Sequence, residues 1–264
     1  MSRILRIGLQ RAVLEIKASL RNGQSLGFTL IFPIVLLVLF ATIFTGKIAT
    51  TGVSVAQYYV AGIMGSVVMS TGFVSTAIST AFDRDAGLLK RLAGTPMPKA
   101  SFFIGRVIAV FCLVLAQAAI LLVLGVVFYK LELPSSAGRW LTFVWVLVLG
   151  TLTSTLLGLA IGGRIRNAKA GPAVVNLPFV VLQFISGVFL PFSDLSSGLQ
   201  TVAGLFPLRW LGQGMRSVFL PDSYQRVEQH MSWQHGRMFI TLAIWLVVGL
   251  ALCLTTFRWV DERT

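Results

Sequence analysis

The chain has 264 residues, of which 56% are hydrophobic and only 12% are charged. A soluble domain carries about twice that charged fraction, so the composition excludes an ordinary water-soluble enzyme and indicates a protein of the bilayer. The net charge of +13 does not indicate nucleic-acid binding, because the cations lie between apolar runs and not together on one soluble face. Contact with anionic lipid headgroups accounts for it better.

Residues 1–21 are predicted to form a helix that lies along the membrane surface. Apolar side chains from Leu5 to Leu20 recur at helical spacing, and basic residues including Arg3, Lys17 and Arg21 share an adjacent face. Such a helix buries its apolar side and turns its cations to the headgroups. A cleaved targeting peptide is the disfavoured alternative, because the next apolar run is long enough to span a bilayer by itself.

Six runs without any charged residue or histidine follow, and each reaches the roughly 20 residues that a spanning helix needs. The second run is too long for one span, so its part around residues 50–57 is expected to lie outside the membrane. We therefore predict an all-α integral membrane protein, with residues 1–264 forming a single transmembrane domain whose two termini lie on one side. The runs cover residues 22–46, 48–82, 107–129, 140–163, 170–193 and 238–257.

Lys and Arg are distributed unequally between the two sides of this arrangement. Fifteen fall on the side of the termini, the loop after the second run and the connection after the fourth, against seven on the other side. Because cytoplasmic loops are enriched in these residues, the side with fifteen is predicted to be cytoplasmic. The loop at residues 83–99 would then lie inside the cell.

That loop is the most densely charged interior segment. Asp83 or Asp85 is expected to cap a short helix, whose C-terminal end suits the cations Lys90 and Arg91. Pro96 and the proline two residues later would stop it. The side chains expected to be available for contact with another surface are Leu88, Leu89 and Leu92. The plain alternative is a positively charged loop that only fixes topology.

Residues 191–237, between the fifth and sixth spans, are neither a simple loop nor a span. Pro191, Pro207 and Pro221 divide the segment, and apolar residues recur in it at helical intervals. We expect two short helices that dip into the outer leaflet or cover a cavity, as a lid over an exit path. A loop packed passively over the helix ends is the alternative.

Catalytic chemistry is poorly represented in the sequence. His230 and His235 lie near Asp222 and Glu228, but no further His or Cys completes a metal-ligand set, so polar loop surface is the favoured interpretation and no metal is expected. The six runs also lack the intramembrane ionisable groups that proton- or sodium-driven transporters use. Energy for transport would then have to enter from outside the membrane.

The order of segments resembles the type-2 permease subunits of ABC exporters, most of all their bacterial drug- and antibiotic-export branch. The stretch from Phe82 to Leu92 is similar to that family's acidic-Gly-Leu-Lys-Arg-Leu sequence, with Asp85 where the family often has Glu, and Ile185–Pro191 resembles a second family stretch. The resemblance implies a coupling helix at residues 87–92 that docks on a separate ATPase subunit. The coupling residues are then Asp83, Asp85, Gly87, Leu88, Leu89, Lys90, Arg91 and Leu92.

The resemblance further implies two permease chains, identical or different, above two ATPase subunits in a bacterial-type inner membrane. ATP and magnesium would be bound by the ATPase partner, and no cofactor is expected in this chain. The cavity between the permeases would be lined mainly by the fifth span, with a weaker contribution from the second. The expected lining residues are Met64, Phe73, Asn176, Phe179, Gln183 and Ser186.

Two questions remain open from the sequence. Asn176 and Gln183 fit a cavity lining, but interhelical hydrogen bonds within one subunit are an equal alternative. A lining of amide, hydroxyl, Phe and Met groups suits amphipathic or lipophilic cargo such as drugs, antibiotics or lipid-like molecules, while polysaccharide or glycolipid export is the nearest alternative. A protein of another class, a passive channel or a membrane-embedded enzyme, is the further alternative.

The glycine pair Gly158 and Gly162 in the fourth run is predicted to permit close helix packing.

Overall fold

The protein is described by a computed structural model over residues 3–48 and 51–256. In that part of the chain helices joined by short connections make up the fold, and the β-structure is limited to an isolated bridge between Lys47 and Ser54. Six helical stretches there are long and apolar enough to cross a membrane, which confirms the all-α membrane fold. In chain order the helices are α1 (Arg3–Arg21), α2 (Gly23–Ile43), α3 (Val55–Met69), α4 (Thr76–Asp85), α5 (Leu88–Ala93), α6 (Lys99–Tyr129), α7 (Ala137–Gly162), α8 (Gly171–Ile185), α9 (Ser197–Ala203), α10 (Pro207–Phe219) and α11 (His235–Thr256).

The second span is one continuous helical rod, Val55–Asp85, in which a π-helical segment, Ser70–Ser75, joins α3 to α4. A reciprocal cap starts it: the Gln57 amide donates to the Ser54 hydroxyl, and the Ser54 amide donates to the Gln57 side chain. Most of the rod is buried, and α6, α7 and α10 pack around it. It is therefore the centre of the bundle.

The third and fifth spans show the largest differences between predicted and observed boundaries. The third span begins at Lys99 and not at residue 107, because Pro98 provides an extended cap and nothing interrupts the helix after it. The fifth span ends at Ile185 and not at residue 193, because Gly187 adopts a positive φ of 77° that breaks the helix. Residues 49–50 and 257, placed in spans or connections above, and Arg258 and Arg263 lie outside the described residues.

Small residues set the distances between helices. A Cβ built on Gly158 of α7 would lie 2.7 Å from the Phe73 carbonyl oxygen, and one on Gly162 would collide with the Ala77 carbonyl. This confirms that the glycine pair packs closely against the second span. Nearer the start of the second span, a Cβ at Gly65 would lie 2.6 Å from the backbone of α10.

Helix α1 packs along the first turns of α6. Its buried residues are the small ones, Gly8 and Ala12, and the Ser101 hydroxyl of α6 donates to the Ile4 carbonyl at 2.9 Å. Larger side chains on α1, such as Leu14 and Leu20, remain exposed. This arrangement suits the predicted helix along a membrane surface, with small residues against protein and aliphatic ones free to contact lipid.

The glycine contacts predict a specific sensitivity. Gly158→Ala should destabilise the protein by about 1–3 kcal/mol, because the added methyl overpacks against backbone that cannot move aside. Gly27→Ala is the matched control: it lies within α2 with open space around it, so the substitution should leave stability unchanged or slightly raised. Thermal unfolding of the two detergent-solubilised variants measures the difference, and equal unfolding temperatures would contradict it.

Candidate functional site

Helix α5 follows a sharp turn and not a side-chain cap. Gly87 precedes it with a left-handed φ of 71°, while Asp83 and Asp85 both lie within α4. The prediction that one of these aspartates caps the short helix is wrong, because α4 continues through them and only glycine takes the left-handed turn without strain. Lys90 and Arg91 lie in the last turn, as expected for cations at a helix C-terminus.

The two leucines at the start of α5 have opposite surroundings. Leu89 is 1% exposed and packs in an apolar cluster with Phe102 of α6 and Leu159 of α7, whereas Leu88 is 36% exposed. The expectation that both are available to a partner is therefore wrong for Leu89, since adjacent residues on a helix face different directions. Leu92 packs partly on the same cluster. Helix α5 is thus attached to α6 and α7 through Leu89, while Leu88, Lys90 and Arg91 are exposed on its surface.

Charged groups fix the segment that leads into α5. Arg106 of α6 pairs with Asp83 at 2.8 Å and with Glu15 of α1 at 3.3 Å. Arg84 donates to the Gly163 carbonyl at the end of α7, at 2.7 Å. The end of the second span is therefore attached to α1, α6 and α7, immediately before the chain turns into α5. We call the end of the bundle that carries α5 the loop end.

A groove of about 730 Å³ runs between α2, the second span and α8. A recess of about 350 Å³ between α1, the second span and α6 lies beside it, and five residues line both: Asn22, Thr29, Ser75, Ser79 and Asp83. The groove proper is also lined by Phe28, Phe32, Pro33, Ser70, Val74, Ile78, Phe82, Asn176, Phe179, Val180 and Gln183.

Polarity changes along this groove. Its loop end holds Asp83, which pairs with Arg106 of the adjoining recess, while aromatic side chains line its middle and Gln183 lies beyond them. An aromatic surface beside a charged end matches a molecule with an apolar body and a hydrophilic head.

The residues predicted to line a cavity fall into two groups. Asn176, Phe179 and Gln183 of α8 line the groove. Gln183 also donates to the Ser66 hydroxyl of α3 at 2.7 Å, so the interhelical hydrogen bond within one subunit exists for this residue. The other three lie elsewhere: Met64 and Ser186 are fully buried, and Phe73 is partly buried against the core.

The structure also contains a charged cluster that the sequence did not indicate. Arg209 and Arg216 of α10 each bind Glu228 at 2.8 Å, and all three are less than 10% exposed. Helix α10, expected to dip into the outer leaflet or to cover a cavity, is buried along its whole length against α3, α7 and α11, at the end of the bundle opposite the loop end. The segment between the fifth and sixth spans therefore places ionised groups inside the bundle, although the six charge-free runs themselves contain none. A detectable signal was the placement of both arginines, seven residues apart, on a helix that also carries Gly212 and its neighbour Gly214.

All three members of this Arg–Glu–Arg cluster stay charged. Burial alone would raise the pKa of Glu228, but the two guanidinium groups outweigh it and lower that pKa. Burial lowers the pKa of Arg209, and in Arg216 the attraction of Glu228 exceeds the burial effect and raises the pKa. The carboxylate therefore binds both arginines across the ordinary pH range.

The acidic residues near the two histidines are bound to arginines and do not join a histidine in a metal site. His235 lies 3.1 Å from the Ser217 hydroxyl, while Glu228 is occupied by arginines and Asp222 pairs with Arg139 at 3.0 Å. Within residues 3–48 and 51–256 no group of three His, Cys, Asp or Glu side chains is placed to hold a metal ion.

Known proteins share this sequence pattern. Residues 11–220 match the ABC-2 type transporter family. The transport permease ycf38 of Porphyra purpurea is 28% identical over 223 residues, which cover 81% of this chain and 74% of that protein. YbhR of Escherichia coli K12, named as a multidrug ABC transporter permease, is 24% identical over 61% of this chain and 43% of its own length. YvfS of Bacillus subtilis 168, named as a transport permease, is 22% identical over 78% of this chain and 82% of its own length. With this match and six candidate spans, the chain belongs to the ABC-2 type transporter family as a membrane permease.

Proposed function

We propose that this permease is the membrane subunit of an ATP-driven exporter that moves amphipathic or lipophilic molecules such as drugs, antibiotics or lipids. The family implies a partner ATPase and a membrane setting. The observation that carries the proposal is the groove of about 730 Å³, whose polar end includes Asp83 in the segment that leads into the anchored helix α5. Binding and energy input would then lie at adjacent parts of one bundle.

The loop end is proposed to face the cytoplasm of a bacterial-type inner membrane, together with both termini. Of the seven cations assigned to the opposite side, Arg209 and Arg216 are buried within the protein and so do not belong to a loop. Five then remain against the fifteen that the sequence assigns to the cytoplasmic side, so the excess of Lys and Arg on that side becomes larger.

Helix α5 is proposed to dock on the ATPase through Leu88, Lys90 and Arg91. Its buried face, with Leu89 at the centre, would transmit displacement to α6 and α7 because the packed cluster resists compression. Two ATPase subunits, which bind ATP and magnesium, and a second permease chain complete the proposed assembly.

The groove is proposed to bind its cargo with the hydrophilic head of the molecule at the loop end. Aromatic side chains would contact the apolar body, and Asn22, Ser79 and the pair of Asp83 with Arg106 would contact the head. The likeness to YbhR, named as a multidrug transporter permease, supports this class of cargo.

The docking proposal predicts that Leu88→Asp uncouples transport. An exposed side chain is changed, so insertion and folding should survive, while a charge in the docking surface should weaken ATPase association by about 2 kcal/mol or more, roughly 30-fold. Co-purification of the ATPase and ATP-driven uptake into inverted vesicles measure the effect.

Two controls separate docking from folding. Leu199→Asp changes an equally exposed leucine on α9 and should leave ATPase association intact, whereas Leu89→Asp buries a charge and should abolish folding. Normal transport and ATPase binding by the Leu88→Asp variant would refute the docking role of α5.

The groove proposal predicts a change in substrate preference from Asn176→Ala and Phe179→Leu. Both side chains line the groove, so half-maximal concentrations for stimulating ATP hydrolysis should shift by up to about tenfold, and differently for different compounds. Leu177→Ala, on an exposed part of α8 that does not line the groove, should change none of them. Unaltered responses of both groove variants to a chemically varied panel would exclude this groove as the cargo site.

A further inference from the structure

The Arg–Glu–Arg cluster is an unusual use of buried charge. Replacement of such a triad by apolar residues is often neutral or stabilising in other proteins, so its presence is not explained by stability alone. The geometry gives a second explanation, because the cluster orients one guanidinium toward the end of the fifth span. Glu228 binds Arg216 at Nε, which leaves Nη1 to donate to the Gly187 carbonyl oxygen at 3.0 Å.

The Gly187 carbonyl is bound from two sides. Besides Arg216 of α10, the hydroxyl of Tyr58 in the second span donates to it at 2.6 Å. The Arg216 guanidinium lies 5.1 Å from the centre of the Tyr58 ring. One backbone oxygen, in the left-handed turn that ends α8, thus connects the fifth span to both the second span and α10.

Glycines make room for this arrangement. Cβ atoms built on Gly187 and Gly212 would lie 3.5 Å and 3.4 Å from Arg216 nitrogens, and one on Gly62 would lie 3.9 Å away. Three elements therefore meet around one guanidinium group. A Cβ at each of these positions would stand in ordinary van der Waals contact with the guanidinium group, so the three backbone segments enclose it closely.

The packing on the two sides of the turn is unequal. Helix α10 packs extensively on α3, with backbone contact at Gly65, whereas α8 touches α10 much less. The second span and α10 consequently form one packed unit. The hydrogen bonds at Gly187, together with the one that the Tyr59 hydroxyl donates to the Phe189 carbonyl at 3.0 Å, attach the end of the fifth span to that unit.

We propose that Arg216, positioned by Glu228, and Tyr58 form a latch on the Gly187 carbonyl that holds the end of the fifth span closed against the second span and α10. Release exchanges the two hydrogen bonds for bonds to water and lets this turn move away from α10. The role of the latch in export depends on the proposed function, but the latch itself can be tested without transport.

The test measures water access at the turn by thiol labelling. Val188 directly follows Gly187 and is fully buried, so labelling of Val188→Cys reports opening of the turn. Native Cys253 is buried in the apolar cluster beneath α5, so its labelling reports unfolding of the whole protein. Cys112 is exposed and is replaced by alanine. Membrane fragments open on both faces are treated with a soluble maleimide, without ATP or substrate, and modification of each cysteine is followed by peptide mass spectrometry.

Tyr58→Phe removes one latch hydrogen bond and should accelerate labelling of the Val188→Cys thiol about fivefold, without a change at Cys253. Arg216→Lys keeps the positive charge beside Glu228 but removes the planar guanidinium group that binds Glu228 and Gly187 together. Labelling of the Val188→Cys thiol should then accelerate at least about tenfold. Tyr224→Phe is the matched control, because Tyr224 is a buried neighbour of Tyr58 whose hydroxyl is not bonded to the Gly187 carbonyl, and it should label at the parent rate.

The latch is supported if the Val188→Cys thiol is labelled fastest in the Arg216→Lys variant, more slowly in Tyr58→Phe and slowest in the control, with Cys253 unchanged. Parent-rate labelling of the Tyr58→Phe variant overturns it, as does equal acceleration by Tyr224→Phe. If Arg216→Lys also exposes Cys253, that variant reports unfolding, and the decision rests on Tyr58→Phe. Because neither ATP nor cargo is present, failure of the latch would leave the export proposal standing, and failure of export would leave the labelling result valid.

Discussion

The architecture depends on one steric constraint: the second span is surrounded by other helices and must be approached to backbone distance from two sides. Gly158 and Gly162 permit this for α7, and Gly65 permits it for α10. In a bilayer, helices gain little from burying apolar area against one another, since lipid is as apolar as leucine, so close van der Waals packing at small residues is the main source of association. The central position of the second span follows from where its glycines and those of its neighbours lie.

That packing gives the two ends of the bundle different properties. At the loop end, Leu89 and the ion pair of Asp83 with Arg106 attach α5 and its approach to several helices at once. At the opposite end, buried charges fix α10 and reach a backbone carbonyl of the fifth span. The groove lies along the flank of the same rod, so a displacement of the second span affects α5, groove and turn together.

Much of this could be read from the sequence, and the reasons for the rest are physical. The six charge-free runs fix the spans because an unpaired charge is too costly in lipid, and the glycine pair in α7 correctly indicates close packing. The exposure of Leu89 and the capping role of Asp83 were predicted wrongly, because both depend on where α4 stops, and a left-handed glycine sets that point. Charge counting also treats every arginine as exposed to water, whereas Arg216 is buried and bound by Glu228 and by the Gly187 carbonyl, two partners that periodicity does not reveal.

The π-helical segment at Ser70–Ser75 has a mechanical consequence. A π turn accommodates one more residue than the α-helical turn it replaces, and one residue corresponds to about 100° of rotation and 1.5 Å of rise. The segment also contributes Ser70, Val74 and Ser75 to the groove wall. The π-helical segment therefore determines the rotation of α4 relative to α3 about their common axis. Conversion of this segment to regular α-helix would rotate α4, and α5 that follows it, by about 100° relative to α3.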